Sequence, residues 1–169
     1  MKLKKIFCWP PLLGGIGAGV TITILAYITF QSILAGTNYG LWLAASFGST
    51  AAVVFGYPEN EFSQPKNVFF GHLICSLVGI IFVTIFEISQ DRTIFFLFIG
   101  VALGISVMLM MAFKVVHPPA GGNTIVVMLA QNSFQFLIFP IIVGAVTIII
   151  GGIIYNRFIL KKNYPLKWL

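Results

Sequence analysis

The stretch KVVHPPAGGNT, Lys114 to Thr124, sits between apolar runs and decides how the chain is read. Before it lies Ile94 to Phe113, long enough to cross a bilayer. After it, Ala120 to Gln131 offers roughly 18 Å of helix, about half a hydrocarbon core. Pro118 and Pro119 suit the first turn of a helix, where a missing N–H had no intrahelical partner. The backbone N–H groups of Ala120, Gly121, Gly122 and Asn123 then have little side-chain cover. Inside a membrane they must be satisfied by protein, water or a ligand. A helix N-terminus carries partial positive charge and favours anions. Lys114 and His117 add to that field, and Asn123 and Thr124 supply donors. The competing structural reading is a tightly packed turn, with Asn123 and His117 bonded to neighbours and Lys114 snorkelling to headgroups.

Composition fixes the solvent. Of the 169 residues, 59% are hydrophobic and only 8% charged, against about 25% charged in a soluble domain. Such a chain cannot cover itself with polar surface, and the mean hydropathy of +1.01 agrees. The net charge of +6 gathers near the ends, at Lys2, Lys4, Lys5, Arg157, Lys161, Lys162 and Lys167. That is the pattern of membrane-helix flanks and excludes nucleic acid as the expected partner. Cys8 and Cys75 read as small buried hydrophobes rather than a disulfide pair. No CxxC or HExxH occurs, so neither metal nor cofactor is expected. The basic N-terminus resembles a signal peptide, but its apolar run continues too far, and we read a retained first membrane helix.

Outward from the break, the apolar runs are Leu12–Ala35, Leu41–Tyr57, Val68–Phe86, Ile94–Phe113, Ala120–Gln131 and Phe136–Tyr155. Pro140 falls in the first turn of the last run. Trp9 and Tyr39 are candidate interfacial anchors of the first. The expected fold is an all-α polytopic membrane protein, one domain over 1–169. It has four long transmembrane helices and two short, broken or re-entrant segments. The length order, long–short–long twice over, points to a two-fold internal repeat of 12–86 and 94–155, and matched short segments point to a transporter site. Re-entrant short segments would give four crossings, with Lys66 and Lys114 opposite the termini. Crossing short segments would give six and leave only Arg92 opposite. The positive-inside rule favours six, while the length of the second short segment favours four. Both place the two termini on one side, expected to be cytoplasmic, in a bacterial plasma membrane.

The first half supplies matching polar groups. Ser46, Ser49 and Thr50 lie in the first short segment, and Asn67 and His72 near the start of the third run. Polar residues inside membrane helices are costly and often functional. The candidate substrate-binding set is therefore Lys114, His117, Gly121, Gly122, Asn123 and Thr124, faced by Ser46, Ser49, Thr50, Asn67 and His72. Gly14, Gly15, Gly17 and Gly19 give the first helix a smooth face suited to close packing, and we expect self-association as a dimer or trimer among membrane lipids.

Three blocks resemble the HPP family of small integral membrane proteins: FGSTAAVVF (Phe47–Phe55), QPKNVFFGHLICSLVG (Gln64–Gly79) and HPPAGGNT (His117–Thr124). Their order and approximate spacing match over roughly residues 8 to 157. The resemblance implies four transmembrane segments and, from plant and cyanobacterial members, nitrite transport. Many members read HPPAGAT where this chain has Gly122 and Asn123, a departure at the helix start that bears on the substrate. The expected function is thus passage of a small inorganic anion, nitrite first, through a channel or a gradient-driven permease. The alternatives are a structural or regulatory subunit of a membrane complex and, on thinner grounds, a redox or heme- or metal-binding enzyme using His72 and His117.

Overall fold

In a computed structural model the described residues are 9–34, 43–89, 94–131 and 133–168. All regular structure among them is helical. The long helices are α1 (Trp9–Leu34), α3 (Pro65–Ser89), α4 (Phe95–Ala112) and α6, whose regular part is Val143–Ile153 between wider-turned segments Leu137–Ile142 and Ile154–Ile159. Each contains a stretch long and apolar enough to cross a membrane. The short helices are α2 (Leu43–Gly56) and α5 (Gly121–Ala130), the latter preceded by a 3-10 turn at Pro118–Ala120. The fold class expected from the run lengths is the one found. The expected Tyr39 anchor, Arg92, Cys8 and the basic residues Lys2, Lys4 and Lys5 lie outside the described residues.

Large apolar side chains such as Ile16, Val20, Phe96, Val101 and Ile150 face outward, while Thr50, His72, Ser106, His117 and Thr124 are fully buried. Polar inside and apolar outside is the arrangement a lipid solvent selects. Packing is close along α3. A Cβ added at Gly71 would meet the His117 Cβ at 2.7 Å, and one at Gly79 would meet Val127 at 3.0 Å and the Thr124 carbonyl oxygen at 3.1 Å. These small positions let α5 lie directly against α3, running the same way along it. Six residues separate Gly71 from Pro65, so the chain break at His117 lies about 9 Å in from the start of α3.

One end of the bundle collects the 57–64 loop, the end of α4 and the C-terminal tail. The start of α1 meets the end of α2, where an added Gly14 Cβ would lie 3.4 Å from the Phe55 carbonyl oxygen. Pro11, Gly14, Tyr57, Leu160 and Lys162 line one groove there. The Tyr164 hydroxyl donates to the Ser63 carbonyl at 2.8 Å. Glu61 and Lys114 share a cleft at the same end. The start of α1, the tail around Tyr164, the 57–64 loop and the end of α4 therefore lie together, and so does every described basic residue. This is the charge distribution expected when both short segments traverse the bundle. The re-entrant alternative would have put Lys66 and Lys114 at the opposite end.

Two local signals shape this end and the last helix. Phe139 is extended (φ −133°, ψ 105°) because the residue before a proline is driven out of the helical region, so α6 becomes regular only after Pro140, from Val143. Lys114 has φ 55°. Its N–H bonds the Met111 carbonyl at 3.1 Å, and the Val115 N–H bonds Met110 at 2.9 Å, closing α4 with a Schellman-type pair that glycine usually provides.

Candidate functional site

The break brings the polar residues of both halves together. Ser46 and Thr50, four apart on α2, share one face. Thr50 Oγ1 lies 2.8 Å from His72 Nε2, 3.0 Å from His117 Nε2 and 2.9 Å from the Ser46 carbonyl oxygen. His117 Nδ1 is 2.7 Å from the Phe62 carbonyl oxygen. His72 Nδ1 is 2.8 Å from Asn123 Nδ2, which also donates to Ser76 Oγ at 3.1 Å. Phe47 stacks on the His72 ring with centroids 4.5 Å apart and planes 29° apart. Five elements thus meet at two imidazoles joined by one hydroxyl: α2, α3, the 57–64 loop, the turn at His117 and α5.

Donor roles follow from what each atom can do. A carbonyl only accepts, so His117 Nδ1 carries a proton. An amide nitrogen only donates, so His72 Nδ1 is bare and its Nε2 carries the proton in the neutral ring. His72 Nε2–H then donates to Thr50 Oγ1, whose own proton has two acceptors in reach, His117 Nε2 and the Ser46 carbonyl. Every polar group in the cluster is satisfied. Among the described residues the buried side-chain polar atoms without a partner are Tyr155 Oη and Asn156 Oδ1, both in α6.

Beside the cluster, Glu61, Phe62, Asn67, Met111, Lys114 and Val116 line an open cleft of about 360 Å³. Asn67 Nδ2 donates to the Val116 carbonyl at 2.9 Å and so ties α3 to the segment leading to His117. The wall between cleft and cluster is thus Phe62, Val116 and Asn67. Lys114 is exposed at the rim.

Of the residues expected in the site, Thr50, His72, His117 and Asn123 form one cluster, with Ser46 joined through its carbonyl. Asn67 stands in the cleft wall. Thr124, the next residue after Asn123 on α5, is buried, donating to the Cys75 carbonyl at 3.0 Å and pairing with Ser106 Oγ at 2.8 Å. Gly121 packs near Leu103, and Gly122 faces open space. Ser49 lies on the exposed side of α2. Sequence reading missed Ser76, Ser106 and the Phe62 carbonyl. Ser76 follows His72 by four residues and so shares its face, a signal that was available. Ser106 is a serine deep inside the α4 apolar run. A backbone carbonyl has no side-chain signature.

A family model of the HPP transmembrane region matches residues 7–165. This chain belongs to the HPP family. Within HPP proteins, the name-giving His117, Pro118 and Pro119 coincide here with the helix break and the two-histidine cluster. The chain is similar to two transmembrane proteins of Dictyostelium discoideum. One is 29% identical over 151 residues, covering 87% of this chain and 52% of the relative. The other is 26% identical over 132 residues, covering 76% and 42%. The HPP chain thus spans about half the length of the curated relatives it matches. No solved structure matches it.

Proposed function

We propose that this HPP protein is a permease for a small inorganic anion, nitrite the first candidate, in a plasma membrane with both termini cytoplasmic. The observation that carries this reading is the buried His72–Thr50–His117 cluster at a helix break, separated by one layer of residues from a cleft rimmed by Lys114. Hydroxyl, imidazole and amide donors could replace part of an anion's hydration shell there. Lys114 holds a left-handed conformation that costs a non-glycine residue roughly 1 kcal/mol. Backbone strain of this kind clusters at functional sites, and here it keeps a cation at the cleft mouth. The orientation rests on the basic residues gathered at one end of the bundle.

An enzymatic role fits the site less well. The cluster offers two imidazoles, a hydroxyl and an amide, without a carboxylate beside them to divide acid and base roles. Self-association is part of the proposal, although the glycine face of α1 divides. An added Cβ at Gly17 would strike Phe55 and Tyr155 at 2.8 Å, whereas Gly15 and Gly19 face open space. Only the latter pair is free for a second copy, and mass photometry in lipid discs reads the copy number directly.

The transport reading is tested by flux of nitrite, nitrate, formate and chloride into proteoliposomes. Asn123→Leu removes the donor to His72 and adds apolar bulk, and is expected to lower flux roughly tenfold or more, the scale of one lost polar partner in a buried site. Folded wild-type protein that carries none of the four anions would remove the transport reading. Undiminished flux in Asn123→Leu would move the path elsewhere in the molecule.

A further inference from the structure

We propose that the cluster takes up a proton together with the anion, and that Thr50 is the switch that makes room for it. The inference rests on the permease reading and adds its co-substrate. The geometry allows two complete hydrogen-bond arrangements that differ by one proton. In the neutral one, His72 Nε2–H donates to Thr50, Thr50 donates to His117 Nε2, and His117 Nδ1–H donates to the Phe62 carbonyl. In the charged one, both nitrogens of His117 carry protons. Its Nε2–H now donates to Thr50, and the Thr50 proton turns to the Ser46 carbonyl, 2.9 Å away. Thr50 then accepts twice and donates once, and no group loses its last partner.

His117 is the residue that accommodates the extra proton, because both of its nitrogens face atoms able to accept. His72 is not, because its Nδ1 faces the amide nitrogen of Asn123. The proton arrives from cleft water that passes the layer of Phe62, Val116 and Asn67, which has to open for it. A hydronium O–H bond breaks, an N–H bond forms at His117 Nε2, and water remains behind. On the far side the same proton leaves with the anion.

The charges around the cluster make the two events depend on each other. The sequences of α2, α4 and α5 contain no titratable side chain. From α3 the facing groups are His72 itself and Cys75, with Lys66 at the helix start and the exposed Glu87 near the opposite end. Glu61 and Lys114 lie across the Phe62 layer, in the cleft. A buried imidazolium therefore has no carboxylate beside it, and a buried unpaired charge is strongly disfavoured. An anion in the cluster would likewise have no resident cation. Each supplies the other's counter-charge, so binding of one raises affinity for the other, reciprocally.

The test uses the full chain in proteoliposomes, with an internal pH dye and the membrane potential clamped. Rates are taken above those of protein-free vesicles, because nitrous acid crosses lipid by itself; nitrate, the anion of a strong acid, serves as second probe. The expected result is that inward anion movement acidifies the lumen with a proton-to-anion ratio near one, and that the rate ignores an imposed potential. Thr50→Val, which keeps shape but removes the hydroxyl, should cut proton movement roughly tenfold or more, since a hydrogen bond to a charged group is lost. Thr50→Ser should restore it. Histidine nitrogen NMR of wild type in lipid discs gives a readout independent of any variant's folding. Nitrite should raise the doubly protonated fraction of His117 at constant pH and leave His72 a neutral Nε2–H tautomer. Anion flux that moves charge without protons overturns the coupling and leaves the permease reading standing. A His117 signal indifferent to nitrite does the same. No flux of any anion overturns both.

Discussion

At the scale of single residues, the site depends on how closely α3 lets His117 approach. Gly71 fixes that distance, since a methyl group there would sit 2.7 Å from the His117 Cβ, well inside van der Waals contact, and backbone rather than a flexible chain end would have to move. Gly71→Ala should lower stability by about 1–3 kcal/mol through overpacking. It should also lengthen the contact between Thr50 and His117. Gly104, with nothing within 4 Å of an added Cβ, is the matched control on α4, and Gly104→Ala should stay within about 1 kcal/mol of wild type. Thermal unfolding in mild detergent, followed by tryptophan fluorescence, compares the two directly. Equal midpoints would mean that the α3–α5 contact is looser than the geometry requires. The cost of burying polar groups in lipid made Thr50, His72, His117 and Asn123 legible in the sequence as interruptions in apolar runs. How they pair was not legible. That Thr50 rather than Ser49 points inward depends on the phase of α2 relative to α3, which neighbouring small polar residues do not define.

At the scale of elements, the 57–64 loop holds His117 through a single backbone carbonyl, and the C-terminal tail in turn holds the loop. Gln64 is buried and uses both ends of its amide. Its Nε2 donates to the carbonyls of Pro58 and Asn60 at 2.9 and 2.8 Å, and its Oε1 accepts from the Leu166 N–H at 2.7 Å. Tyr164, also buried, adds its bond to Ser63. Burial pushes its phenol pKa up, so it remains a donor through the alkaline range. The Lys167–Glu61 pair, 3.9 Å apart and mostly exposed, contributes little. Gln64→Leu should strip partners from two carbonyls and from the N–H groups of Leu166 and Lys167, each costing about 1–3 kcal/mol if left buried. Tyr164→Phe removes one bond and should cost about 1 kcal/mol. Hydrogen exchange should rise in residues 57–64 and around His117 in both variants, more in Gln64→Leu. Exchange confined to the tail would show that loop and tail are independent. In the sequence, 58–67 is only a polar stretch between two apolar runs, because a clamp made of backbone partners a hundred positions apart leaves no local pattern.

For the whole molecule, helix lengths alone left the number of crossings undecided, since α5 is too short to be recognised as a span by itself. Tertiary placement supplies a second criterion. The start of α1, the 57–64 loop, Lys114 and the tail share one end of the bundle, so α2 and α5 each carry the chain between levels that a re-entrant hairpin would not connect. α5 can be short because it begins about 9 Å inside, at the level of Gly71, where protein rather than lipid satisfies the backbone around the break. The consequence is a sidedness that surface labelling can read. With Cys8 replaced by serine and Cys75 left buried, single cysteines are introduced as Glu59→Cys, Asn163→Cys and Asp91→Cys. A membrane-impermeant thiol reagent applied to right-side-out and inverted vesicles should modify Glu59→Cys and Asn163→Cys from the same side, and Asp91→Cys from the other. The re-entrant arrangement gives the opposite pairing, with Glu59→Cys facing away from Asn163→Cys. Because the basic residues follow the same division, the side that labels Glu59→Cys should also be the cytoplasmic one. Labelling of Glu59→Cys only from outside intact cells would reverse the orientation, and with it the direction in which the Lys114 cleft opens.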